Sequence, residues 1–171
     1  MADTSGLLSS WLADYDRDEI TVGVVASHSS LQILHGARAE GFRTLGIAVG
    51  EDRRKMYKAF PGAEPDEWLM LDDYNEMLDR AEWFRERNVI MIPHGSLVEY
   101  LGADNFIDLQ VPTFGNRRIL KWESSREAQR EWLELGGLSM PKVVEPRVRP
   151  NPNPTSYAHV VPGSRGMFWM L

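Results

Sequence analysis

The sequence predicts an α/β fold, an open parallel sheet wrapped by helices on both faces. Three observations carry that expectation. Short β-branched apolar runs alternate along the chain with amphipathic segments of helical period. The runs at 20–25 and 88–92 hold no charged residue, as strands covered on two faces require. Glycines and acidic residues stand between the segments, where helix ends need them.

The elements follow in order. Ile20, Thr21, Val22, Val24 and Val25 make a first strand over 20–25, with Gly23 inside it and so not in a phosphate-binding turn. Leu31, Ile33, Leu34 and Ala37 recur at helical spacing over 31–40, and Gly41 stands where a helix C-terminal glycine belongs. A second strand spans 42–49, and Arg53, Arg54, Lys55 and Lys58 then fall in a stretch rich in glycine and proline, expected to be a solvated loop. Residues 68–71 make a short third strand. Tyr74, Met77, Leu78, Ala81 and Phe84 predict a helix capped by Asp72 and Asp73. A fourth strand over 88–92 and a short helix over 96–101 complete the alternation, which is Rossmann-like. Right-handed crossovers place every strand-to-helix turn on one sheet edge, where ligands bind. With the strands at 20–25 and 88–92 adjacent and central, His28 and His94 should lie within ~10 Å of each other.

Composition bounds the function. The 171 residues suit one ordinary domain; 43% are apolar and 26% charged, enough for a core. The net charge of −6 argues against nucleic acid as partner. The absence of cysteine excludes disulfides and thiolate metal sites and fits a reducing cytoplasm. No basic region precedes apolar residues at the N-terminus, so no signal peptide is expected, and the apolar runs are far shorter than the ~20 residues of a membrane span. The charge is uneven, −9 over 1–140 and +3 over 141–171. Six of the ten prolines also fall in 141–171, so 145–156 reads as an extended linker.

Two turns carry candidate chemistry. Ala26-Ser27-His28-Ser29-Ser30 follows the first strand and Pro93-His94-Gly95-Ser96 follows the fourth. Each puts a histidine and serines at the mouth of a helix, where unpaired N–H groups attract phosphate or carboxylate. Ser29, Ser30 and Ser96 can add hydroxyl donors and Gly95 its backbone, although helix capping explains such serines equally well. Histidine can hydrogen-bond a base or carboxamide, or act as acid and base. A metal held by His28 and His94 is disfavoured because neither turn contains an acid. No G-x-G-x-x-G, P-loop or G-x-S-x-G pattern is present. Farther on, Asn116 can cap a helix whose first turn holds Arg117 and Arg118. Two cations there oppose the helix dipole, which suggests that they face an anion or an acidic partner. Ala128, Trp132 and Leu135 then form an apolar stripe expected to pack.

The ordered motifs are more specific than the fold. Asp18-Glu19-Ile20-Thr21, the run from Ser27 through Leu34, Gly36 through Phe42, Pro93-His94-Gly95-Ser96 and Phe114 through Glu123 come in one order, with Tyr57-Lys58 and Phe60 between them. Together they resemble the N-terminal part of the archaeal PurP family of formate-dependent 5-formaminoimidazole-4-carboxamide ribonucleotide synthetases, over roughly 15–143. The resemblance implies a ligase of IMP biosynthesis. Such an enzyme uses ATP and Mg²⁺ to activate formate, which then formylates the amino group of the aminoimidazole carboxamide ribonucleotide (AICAR). It implies His28 and Ser96 as AICAR contacts; Ser29, Ser30, His94, Gly95, Arg117 and Arg118 stand beside them as phosphate or anion candidates from the helix-mouth and helix-dipole reading above. It also implies a pre-ATP-grasp domain over 1–115, a helix leading into an ATP-grasp module over 116–144, and an irregular tail over 145–171. The family's metal-holding acids are expected to be missing from this chain, and Val160 stands in the place of a family lysine before a glycine-rich loop. AICAR, formate and ATP are the implied partners, with homo-oligomerisation open. The alternative is a purine-nucleotide-binding or docking module without catalysis.

Overall fold

The computed structural model describes residues 12–142. The proline-rich tail over 145–171, with Val160 and the loop after it, lies outside the described residues. A parallel four-stranded sheet, β1 (Thr21–Val25), β2 (Arg43–Val49), β3 (Glu67–Leu71) and β4 (Val89–Met91), has the order β3-β2-β1-β4. β1 pairs with β4 in the register Thr21↔Val89, so the two uncharged runs are neighbours as expected. β4 ends the four-strand order rather than lying central. Beyond it a single parallel bridge joins Met91 to Thr113, with Met91 N–H donating to the Pro112 carbonyl at 2.9 Å.

Strand alternation sorts the core into two faces. Val25, Ile47, Leu71 and Met91 belong to a cluster with Met77, Phe84, Leu97 and Phe106. Val24 and Ala48 belong to another, with Leu34 and Tyr57. Helices therefore cover both faces. α1 (Ser30–Ala39) and α2 (Glu51–Tyr57) supply one cover. The other comes from a 3-10 helix (Tyr74–Arg80), α3 (Ala81–Glu86), α4 (Gly95–Leu101) and α5 (Ala103–Asp108). Gly23 permits the close approach of β1 to β4: a β-carbon there would lie 2.6 Å from Val89 Cγ1. Gly41 ends α1 at φ +84°, as its place in the sequence implied.

Two segments differ from expectation. The Arg53–Lys55 stretch is helical, not a loop: α2 opens with Glu51 and Asp52 and closes with cations, which suits its dipole. The helix predicted from Tyr74 begins as a 3-10 helix and becomes α-helical only at Ala81. Its cap is as expected, for the Asp73 carboxylate accepts the Asn75 N–H at 2.7 Å and Glu76 accepts the Asp73 N–H at 2.9 Å.

The chain divides into two compact units that meet between Lys121 and Trp122. The first unit extends past residue 115 because Arg117 and Leu120 are buried within it. That boundary falls inside α6 (Ile119–Glu123). The second unit contains α7 (Arg126–Leu135), capped by Ser125 Oγ, which accepts the Ala128 N–H at 3.2 Å. The stripe of Ala128, Trp132 and Leu135 is not packed as expected. No residue of α7 is buried, and Leu135 is 74% exposed.

Candidate functional site

The turn after β1 is built around the peptide of Ser27. Its N–H donates to Ser30 Oγ at 2.8 Å and to the Tyr57 hydroxyl at 2.9 Å. Its carbonyl accepts from both hydroxyls at 2.7 Å. Tyr57 and Ser30 also bond to each other. Two buried hydroxyls thus clamp one peptide, and the next residue, His28, is left exposed. Burial pushes the Tyr57 phenol above its ordinary pKa, against the bonds from Ser30 and Ser27 and the charge of Arg53. The phenol therefore stays protonated and able to donate.

The turn after β4 is tied to the first by His94. Its Nε2 lies 3.0 Å from the Val25 carbonyl, which can only accept, so Nε2 carries the proton. Its Nδ1 accepts the Ser96 N–H at 3.3 Å and caps α4. Those two bonds define the neutral imidazole. Burial is the main cause holding His94 below its ordinary pKa of 6.5; the Val25 carbonyl opposes the shift and the nearby His28 adds to it.

The eight candidate residues separate accordingly. The side chains of exposed His28, partly buried Ser29 and buried Ser96 have no hydrogen-bond partner among the described residues, and Gly95 and Arg118 are exposed. Ser30 and His94, by contrast, have their side-chain polar groups bonded within the architecture of the turns. Arg117 is also withdrawn. It is 8% exposed, and its guanidinium donates to the carbonyls of Ile107 (3.1 Å), Leu109 (2.5 Å) and Val111 and to Thr113 Oγ1 (2.5 Å). The arginine at a helix start thus answers carbonyls of residues 107–111 and one hydroxyl of its own chain. Asn116 does bond into this turn, its Oδ1 accepting the Arg118 N–H at 3.1 Å.

Sequence reasoning missed the importance of Tyr57 and Arg53. Arg53 Nη2 donates to the Tyr100 hydroxyl at 2.9 Å, and Tyr100 stacks on Tyr74 with ring centroids 5.0 Å apart. The acids opening α2 and the cations closing it were the available signal. Among the described residues no three carboxylate or imidazole groups gather to hold a metal ion. No described helix is long and apolar enough to cross a membrane.

The molecule is an α/β protein built on a parallel sheet, with the His28 and His94 turns at the carboxyl ends of adjacent strands. The sequence profile of the family described as "Protein of unknown function (DUF1246)" matches residues 22–144, and the chain belongs to that family. It is similar to the 5-formaminoimidazole-4-carboxamide-1-(beta)-D-ribofuranosyl 5'-monophosphate synthetase of Methanosarcina acetivorans, 56% identical over 138 residues, which are 80% of this chain and 38% of that protein. The protein of the same name from Methanococcoides burtonii is 48% identical over 161 residues, 94% of this chain and 45% of the relative. Among solved structures, the IMP biosynthesis protein PurP from Thermococcus kodakaraensis aligns with a TM-score of 0.60 at 39% identity, covering 74% of this chain and 40% of that one. The resemblance carried by the ordered motifs is thus borne out. The chain spans 38–45% of the length of these relatives.

Proposed function

We propose that this chain holds AICAR for a formate- and ATP-dependent ligase of IMP biosynthesis, on the sheet edge of a pre-ATP-grasp, Rossmann-like domain in the cytoplasm. One observation carries the reading. The His94–Val25 bond joins the two His–Ser turns and leaves His28, Ser29 and Ser96 with unspent polar groups there. The names of the relatives support it, because the ribonucleotide they are named for differs from AICAR by a formyl group on its amine.

The work of the described residues is to bind and orient. The His28 imidazole can bond the carboxamide, which offers both a donor and an acceptor. The Ser96 hydroxyl can take a second polar group of the nucleotide. Fixing the aminoimidazole positions its amine for attack on an activated formyl carbon, and such positioning lowers the barrier by removing orientational freedom.

Calorimetry with AICAR on the full chain tests the reading. Ser96→Ala should weaken binding by ~1 kcal/mol, about fivefold, and His28→Ala by somewhat more. Equal affinities in wild type and both variants would remove the site. Release of ADP in the presence of ATP, Mg²⁺, formate and AICAR would separate a catalytic chain from a binding module.

A further inference from the structure

The geometry points to Arg53 as the cation that receives the 5′-phosphate of the ribonucleotide, with Tyr100 as the residue that positions it. The assignment rests on the AICAR reading above and deepens it.

Three consecutive cations on α2 are treated differently by the fold. Arg54 pairs with Glu51 at 3.6 Å and Lys55 with Asp52 at 3.2 Å, both within the helix. Arg53, which precedes them and is half-buried, has no carboxylate partner among the described residues. One of its guanidinium N–H groups is spent on the Tyr100 hydroxyl, and its Cζ lies 5.4 Å from the Tyr100 ring centroid. The Tyr74–Tyr100 stack backs that ring, with 12° between the planes. The guanidinium is therefore held in one orientation by a hydroxyl and a ring face, with donors to spare.

Its location fits a ligand of the sheet edge. Arg53 follows β2 as the His28 turn follows β1, so both stand at the carboxyl ends of neighbouring strands. An open cavity of about 420 Å³ lies there, lined by Val49, Gly50, Glu51, Asp52, Arg53 and Met56. The two acids in that lining are the ones paired with Arg54 and Lys55. Arg53 is also close enough to Tyr57 to act electrostatically on its phenol, and Tyr57 grips the peptide before His28. A fixed, unpaired guanidinium with parallel N–H groups suits a phosphomonoester. Arg117, the other candidate cation, has its donors turned to backbone carbonyls.

The experiment is calorimetry on the full chain with three probes: AICAR, its dephosphorylated riboside, and ATP. Wild type should prefer AICAR to the riboside. Arg53→Gln should lose that preference, at least about tenfold, with riboside affinity unchanged and a cooperative melt retained. Arg53→Lys should recover part of it, and Tyr100→Phe, which frees the guanidinium without removing its charge, should lose part. An Arg53→Gln protein that keeps the preference overturns the assignment while the site reading stands. One that loses ATP binding but keeps the preference overturns it in favour of a triphosphate. Wild type that binds neither AICAR nor riboside overturns the site reading, and this assignment with it.

Discussion

Tyr57 shows how much of a site can depend on one hydroxyl. Its ring packs edge-on against Trp68, with centroids 5.1 Å apart, and its oxygen serves both sides of the Ser27 peptide. Tyr57→Phe keeps the ring and deletes the clamp. Ser30 still bonds the peptide, so a stability loss of only ~1 kcal/mol is expected in thermal melts, with a larger loss of AICAR affinity. Arg117 is the opposite case. Arg117→Met should cost about 3 kcal/mol in denaturant unfolding, because it strands several carbonyls between residues 107 and 111, and should not alter phosphate preference. His94 adds a pH dependence. Its folded pKa is depressed below 6.5, so as pH falls beneath 6.5 the unfolded chain takes up this proton first and stability declines. Above 6.5 the contribution is fully present. His94→Gln should flatten that part of the melting-temperature profile, and an unchanged slope would show that burial does not hold His94 in its neutral form.

At the scale of elements, the β1–β4 contact is the one most exposed to substitution. Gly23→Ala would force a methyl against Val89, a side chain with little freedom to move, and ~1–3 kcal/mol of destabilisation is expected in chemical denaturation. The strands themselves were legible, because strands buried on two faces announce themselves as apolar runs. So were Gly41 and Asp73, whose roles are local. α2 was misread because Gly50, Pro61 and Gly62 flank it closely and outweighed seven residues of weak helical pattern. The fates of His94 and Arg117 were hidden for a different reason. Their acceptors are backbone carbonyls, one of them 69 residues away, and a carbonyl leaves no mark on composition or spacing. Sequence could show which turns share an edge, but not which side chains the fold would consume in building them.

For the whole molecule, the division at Lys121 has a direct consequence. Every buried apolar residue among those described lies at or before Leu120. A chain ended after Glu123 should therefore keep a cooperative melt within a few degrees of the full chain, as followed by circular dichroism. A loss of cooperativity would mean that residues of the second unit complete the core. Within the first unit, α2 has one more implication. Arg53 and Tyr57 stand four residues apart, one turn along the same face of a short helix. The helix is thus a lever with a grip at each end: a load placed on Arg53 is delivered to the Ser27 peptide and so to the residue after it. Any anion seated there would take up slack in the His28 turn, and the Ser27 amide proton, already caught between two hydroxyls, should trade for deuterium more slowly once that seat is filled.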